Sequence, residues 1–261
     1  MGRFIDRSNV NSLADNYATG DIQYLYLKAT QGTTFVDSTR NARRALAARA
    51  GVHIVGDYHF ANLEDPVAEC EHFLSVIGRP AAGAFRPCLD LERGTTVSDV
   101  GWAEAWIAHF RGKMGYLPVL YGSTSLIVGL RASSALIRAC PWWRAEFGIN
   151  DGHFHPLQGG TLGANAHQFT DQAHIPGIVG NTDQSVFCAP ATPMIVPGRT
   201  VVTRISKKAW EQAQWWLSIG KYKGHGRVQH AASRAPGEVD PFRPVTGFSK
   251  ALAWYRKHVK P

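Results

Sequence analysis

The sequence predicts an α/β fold: an irregular, incomplete TIM-like (β/α) barrel of about eight strands, followed by a small basic helical C-terminal appendage. Three observations carry this expectation. Eight short β-type runs alternate with helical patterns through most of the 261 residues, and such alternation implies parallel strands covered by helices. The helical punctuation fades after Phe147, where residues 148–163 are rich in Gly, His and Pro, so a full ring of eight helices is not expected. Charge also divides along the chain: residues 1–190 carry 15 Lys and Arg against 17 Asp and Glu, whereas residues 191–261 carry 13 against 3. The net charge of +8 therefore belongs to the C-terminal piece, an anion-attracting extension of a near-neutral body.

The strands are expected at residues 3–6, 23–30, 53–60, 85–92, 117–122, 142–147, 165–170 and about 180–187. Helices are expected at 38–50, closed by Gly51, and at 66–77, with Asp65 as N-cap and Pro66 in the first turn. A third is expected at 98–114, where Ala103, Trp106, Ile107 and Phe110 share one face and Gly115 stops the helix. Pro190, Pro193 and Pro197 suit an extended linker or wrap over 190–199, dividing the chain into a catalytic barrel, 1–190, and a Trp-rich region, 191–261. Within the latter, 206–219 and 248–259 read as helices, with Trp210, Trp215, Trp216, Trp254 and Tyr255 as apolar bulk.

A composition of 44% apolar residues with 26 Gly and 14 Pro is globular, which excludes collagen-like and disordered classes. The opening residues lack the apolar core of a secretory signal, and no stretch approaches the roughly 20 apolar residues of a membrane span. The expectation is a chain with neither export signal nor transmembrane segment. Cys70, Cys88, Cys140 and Cys188 show no zinc spacing. Four buried free thiols are expected, one or two disulfides being the alternative. No metal or cofactor is expected.

The chemistry concentrates at Asp90-Leu91-Glu92, at the end of the fourth expected strand. Period-2 alternation sends Asp90 and Glu92 to one face and Leu91 to the other. Catalytic groups of β/α barrels gather at the C-terminal ends of strands, and Asp6 and Asp183 lie at the ends of the first and last strands, which become neighbours on closure. Close carboxylates cannot all ionise normally, so one is held protonated, as a glycosidase needs for its leaving oxygen while another anion stabilises charge on the sugar. By itself Asp-x-Glu is a weak signal; capping a loop, or pairing with Arg86 and Arg93, is the alternative.

The surrounding residues resemble glycoside hydrolase family 25, the muramidases often called phage-type lysozymes, over roughly residues 3–188. They are Phe4-Ile5-Asp6-Arg7-Ser8, Tyr26-Leu27-Lys28-Ala29-Thr30-Gln31-Gly32, Asp37, Asn41, Gly56-Asp57-Tyr58-His59-Phe60, Leu89-Asp90-Leu91-Glu92, Val119-Leu120-Tyr121-Gly122-Ser123, Gln168-Phe169-Thr170 and Ile175-Pro176-Gly177-Ile178 leading to Asp183. The resemblance implies cleavage of the β-1,4 bond between N-acetylmuramic acid and N-acetylglucosamine in peptidoglycan. It implies Glu92 as general acid, Asp90 as the group orienting the substrate N-acetyl group or the charge at the anomeric carbon, and Asp6 and Asp183 completing an acidic floor. Substrate assistance by the acetamide is favoured, with inversion through an activated water as the rival. Gln31 departs from the Glu usual in the family, and Asp57 stands where a small residue is common.

Candidate substrate contacts are Tyr58, His59, Tyr121, Gln168, Lys28 and Gln31; aromatic faces stack on sugar rings while their polar tips bind hydroxyls. Barrel packing is the alternative for the tyrosines, and a hydrogen-bonded core position for His59. Trp142 and Trp143 face opposite sides of their strand, so at most one lines the site. The expected partners are peptidoglycan and, through the basic region, anionic wall polymers; a helical hairpin packing its aromatics on the barrel is the alternative. No nucleic-acid partner and a monomeric state are expected. A phage endolysin made in the host cytoplasm and released through a holin lesion fits these readings. The rival is a catalytically inactive barrel serving as a cell-wall-binding module.

Overall fold

All eight expected strands form, because each carries alternate residues for an apolar interior and a helix-covered exterior. In the computed structural model, which describes residues 2–92, 94–156, 160–188 and 192–197, the strands are β1 (Arg3–Arg7), β2 (Tyr24–Gln31), β3 (Phe35–Val36), β4 (Ile54–Phe60), β5 (Cys88–Asp90), β6 (Val119–Ser123), β7 (Trp142–Ala145), β8 (Ala166–Ala173) and β9 (Thr182–Phe187). β3 is only a hairpin partner of β2. The other eight close into a barrel through the β1–β2 pairing. Pairing is parallel from β1 round to β8, and β9 runs antiparallel between β8 and β1. The helices expected at 206–219 and 248–259, and with them the appendage, lie outside the described residues.

Five helices accompany the strands: α1 (Arg40–Arg49), α2 (Pro66–Ile77), α3 (Val100–Met114), α4 (Thr124–Ser133) and α5 (Ala135–Arg138). α2 has the expected bounds, its Asp65 cap accepting from the Ala68 N–H at 2.7 Å. Gly115, left-handed at φ 81°, ends α3. α4 and α5 are additional to the three expected helices, and Ser123 and Ser134 cap them in the ordinary way. Among the described residues no helix joins β1 to β2, β7 to β8 or β8 to β9, which is the incompleteness the fading pattern predicts. No helix among them is long and apolar enough to cross a membrane.

β5 is shorter than its predicted span because Pro87 has no N–H for the ladder. The preceding residues pair elsewhere. Phe85 bridges Ile195, Arg86 N donates to Met194 O at 2.7 Å and Val196 N donates to Ala84 O at 2.7 Å. The expected wrap is thus a strap, with Met194 fully buried among the barrel's aromatics. Barrel packing continues past the expected boundary at 190, to Val196.

The interior is filled by Phe4, Tyr26, Phe85, Trp143 and Phe187. Tyr26 and Phe85 stack at 4.5 Å, and they sit so close to Gly56 that a Cβ there would meet Phe85 Cβ at 2.5 Å. Outside, Trp106, Phe110, Phe73 and Trp142 pack between the strands and the helices. Trp142 and Trp143 therefore face opposite sides, as alternation requires. All four cysteines are free; Cys188 is partly exposed and the other three are buried.

The loop after β1 is tied down by charge. Asp15 accepts from Arg7 at 2.7 and 2.9 Å, from Arg43 of α1 at 2.9 Å and from the Val179 N–H at 3.0 Å, and all three side chains are fully buried. Arg43 also donates to the carbonyls of Ser8, Asn11 and Ser12. This knot joins β1, α1 and the β8–β9 turn directly behind the barrel mouth.

Candidate active site

At the C-terminal end of the parallel strands a cleft of about 400 Å³ opens, lined by Asp6, Lys28, Tyr58, Asp90, Glu92, Tyr121, Trp143, Gln168 and Asp183 among others. Strand alternation explains the selection: Phe4 and Asp6 on β1, Tyr26 and Lys28 on β2, Tyr58 and Phe60 on β4, and Cys88 and Asp90 on β5 share the inward face. Asp183 reaches the same end because β9 is antiparallel and begins where the other strands finish. The structure brings together all four predicted acids, along with Tyr58, Tyr121, Gln168 and Lys28.

Two predicted contacts fall elsewhere. His59 follows Tyr58 on one strand and so must point outward; it is fully buried, with Nδ1 2.8 Å from Thr30 Oγ1 and Nε2 2.7 Å from Glu69 Oε2, and it stacks on Trp106. Its role is in the core between barrel and helices, which corrects the expectation of a sugar contact. Gln31 does not line the cleft either; it accepts from Lys28 Nζ at 2.7 Å and donates to Asn62 at 3.0 Å, so it acts on the site through Lys28. Asp57, the other departure from the resemblance, also points outward and pairs with Arg40 and Arg44 of α1.

The acids are wired rather than scattered. Tyr121 OH donates to Gln168 Oε1 at 2.6 Å, and Gln168 Nε2 donates to Asp6 Oδ1 at 3.1 Å. Asp183 lies against Asp6, close enough for each carboxyl to perturb the other. Burial, then the Asp183 charge, holds Asp6 well above the ordinary carboxylate range. Burial, then Glu92 and Asp6, does the same for Asp90, opposed by Lys28. Asp183 is raised to about 6, mainly by burial. Lys28 sits over the Phe60 ring, 4.6 Å from its centroid, and burial lowers its affinity for the proton. Tyr58 and Tyr121 are pushed well above 10 by burial and the carboxylates around them, which keeps both phenols as donors.

Two features set Asp90 and Glu92 apart. Asp90 Oδ1 is buried with no hydrogen-bond partner among the described residues, a costly state for an acceptor unless a ligand donor fills it. Glu92, just past the end of β5, is exposed at the rim of the same cleft. Among the described residues no group of three or more His, Cys, Asp and Glu is arranged to hold a metal ion.

The raised acids make stability depend on pH. Asp183 moves from an ordinary 3.8 to about 6, so the fold binds its proton more tightly than the unfolded chain does. That contribution is complete below about pH 4 and is lost as pH rises through 6. Asp183→Asn is therefore expected to raise the melting temperature relative to wild type at pH 7.5 but not at pH 4. Two pKa units bound the effect at about 3 kcal/mol, less with solvent screening. An equal difference at both pH values in calorimetry would refute this account.

A profile for the family described as Glycosyl hydrolases family 25 matches residues 5–178. The chain belongs to glycosyl hydrolase family 25. This family 25 chain is 27% identical over 186 residues to an autolytic lysozyme of Clostridium acetobutylicum, covering 69% of the chain and 52% of that protein. It is 32% identical over 116 residues to an N,O-diacetylmuramidase of Arthroderma benhamiae, covering 40% and 49% respectively. The chain thus spans about half the length of these curated relatives. A bacterial lysozyme from Streptomyces coelicolor shares the fold, with a TM-score of 0.62 and 22% identity over 74% of this chain and 94% of the other. Asp15, Arg43 and Glu69 were not singled out in the sequence, because their roles depend on partners far along the chain.

Proposed function

We propose that this family 25 chain is an N-acetylmuramidase that hydrolyses the β-1,4 bond between N-acetylmuramic acid and N-acetylglucosamine in peptidoglycan. The observation that carries the proposal is the gathering of Asp6, Asp90, Glu92 and Asp183 in one cleft, with Asp90 Oδ1 buried and unpartnered. Glu92, accessible at the rim, protonates the leaving glycosidic oxygen. Asp90 accepts the N–H of the substrate acetamide, whose oxygen is then placed to attack the anomeric carbon as the bond breaks. Gln168 and Tyr121 hold Asp6, which with Asp183 forms a floor stabilising the positive charge that develops on the sugar. The names of the curated relatives, an autolytic lysozyme and an N,O-diacetylmuramidase, support this reading.

The test is digestion of purified peptidoglycan, followed by borohydride reduction and mass spectrometry of the new ends. Reduced muramic acid is expected. Reduced glucosamine would make the enzyme a glucosaminidase, and no new ends would favour a wall-binding barrel without activity. The same reading extends to biology: a wall-cleaving barrel followed by a basic, Trp-rich region of net charge opposite to wall polymers suits a phage endolysin. Host cells expressing the chain are then expected to lyse only when a holin opens the membrane; lysis without one would overturn the endolysin assignment.

A further inference from the structure

The register between β8 and β9 slips beside the acids. Gln168 lies opposite Ser185, Thr170 opposite Gln184 and Ala173 opposite Thr182, so β8 carries two extra residues over this stretch, and Asp171 and Gln172 together face Asp183. Bulges of this kind re-aim side chains. Ala166 and Gln168 point into the barrel, so unbroken alternation would turn Asp171 to the outer face. Instead Asp171 lines the acidic cleft with Asp6, Asp90, Glu92 and Asp183. It is a fifth carboxyl there, and no step of the hydrolysis uses it.

Asp171 is clamped. Asn150 Nδ2 donates to its Oδ1 at 2.7 Å, and Gln172 Nε2 donates to the same oxygen at 2.7 Å. Asn150 is itself fixed, because its Oδ1 accepts from the hydroxyl of buried Thr170 at 2.6 Å. The loop after β7 that carries Asn150 lies close against β8. A Cβ on Gly152 would meet Gln172 O at 2.7 Å, and Phe154 packs edge-on against Phe169 with centroids 5.4 Å apart. Donors on a carboxylate favour its charged form, and Asn150 most of all, with Gln172 adding to it, holds Asp171 below the ordinary carboxylate range. The charged and titratable groups that act on Asp183 are Asp6 and Arg7 from β1, Glu92 from the loop after β5, and Asp171. Burial raises Asp183 most, and Asp171 is the charge that adds most to it.

We infer that Asp171 is a positioning residue for the hydrolysis: its anchored anion, opposite Asp183 across the β8–β9 bulge, keeps a proton on the Asp6–Asp183 floor while the enzyme works. The inference rests on the muramidase reading above, in which that floor faces the charged sugar. A floor that retains one proton presents one anion to the sugar and one O–H donor to a sugar oxygen. Without the anion at 171, Asp183 gives up its proton at lower pH and the donor is lost.

The experiment follows the aspartate carboxyl carbons of the full chain by 13C NMR against pH, the Asp183 signal being the one that disappears in Asp183→Asn. Its midpoint is expected to fall by roughly half to one pH unit in Asp171→Asn, since a like charge nearby is removed, and to return toward wild type in Asp171→Glu, which keeps the anion. Asn150→Ala, outside the strands, is expected to shift the midpoint the same way by less, because the unclamped carboxylate moves toward solvent; it carries the test if Asp171→Asn does not fold. The pH profile of kcat/KM on purified peptidoglycan is expected to lose activity on its alkaline side at correspondingly lower pH in Asp171→Asn. An unmoved midpoint, or one that Asp171→Glu lowers as much as Asp171→Asn does, overturns the inference. So does a midpoint that moves while the kcat/KM profile keeps its shape and position, because the proton would then be idle in the reaction. Failure of the wild type to cleave peptidoglycan ends the muramidase reading, and that result is distinct because the midpoint is read without substrate.

Discussion

Replacing Glu92 with Gln is expected to lower peptidoglycan hydrolysis about 100- to 10,000-fold, the range typical for loss of a general acid, with a melting temperature at pH 7.5 equal to or above that of wild type, since the Glu92 charge opposes ionisation of Asp90. The side chain lies exposed at the cleft rim past the end of β5, so a neutral isostere removes the proton without disturbing the core. Asp90→Asn makes the complementary case. Asn keeps the volume but turns one acceptor into a donor, which can no longer receive the acetamide N–H, and a loss of about 100- to 1,000-fold is expected. Stability should move the other way, because Asp90 is a buried carboxyl whose charged form is disfavoured by burial and by Glu92. A melting temperature at pH 7.5 equal to or above that of wild type, together with lost activity, is the expected signature. Activity of Glu92→Gln within a few-fold of wild type would remove Glu92 from the chemistry and shift the assignment to another acid of the cleft.

The second large effect concerns folding. Asp15→Ala is expected to destabilise the barrel by about 3–5 kcal/mol in urea unfolding, since it strands two fully buried guanidinium groups. Replacing one partner of a buried cluster costs far more than the cluster contributes net, because the charges left behind remain desolvated. Arg7 directly follows Asp6, so the same change is expected to loosen the acidic floor and reduce activity even at temperatures where the variant stays folded. A cost below about 1 kcal/mol would mean that water enters and solvates Arg7 and Arg43, and the knot would then be dispensable.

Legibility from sequence followed the range of the forces involved. Helix α2 was readable to the residue, because an N-cap Asp, a first-turn Pro and a closing Gly act within a few positions. Asp90 is readable as inward-facing because side-chain alternation is a property of any strand, whereas Glu92 lies past the end of β5 and its place at the cleft rim is set by the loop. The same rule, applied to Tyr58 and His59, allows only one of the two into the cleft, and the tertiary structure sends His59 to Thr30 and Glu69. β5 is shorter than the local pattern predicts because nothing local shows that residues 85 and 86 pair with a strap more than a hundred positions away.

Sequence by itself determined the eight strands, both ends of α2, the stop of α3 and the four acids, since hydrophobic period, capping and residue type are local. Only the tertiary structure decided the antiparallel entry of β9, which sets Asp183 against Asp6, the Tyr121–Gln168–Asp6 chain and the buried Arg7–Asp15–Arg43 knot. These depend on barrel closure, which joins residues as distant as Arg3 and Gln184, 181 positions apart, and desolvates them together. Burial at that closure also moves the acids away from their ordinary pKa range, a property that no residue carries in its own identity.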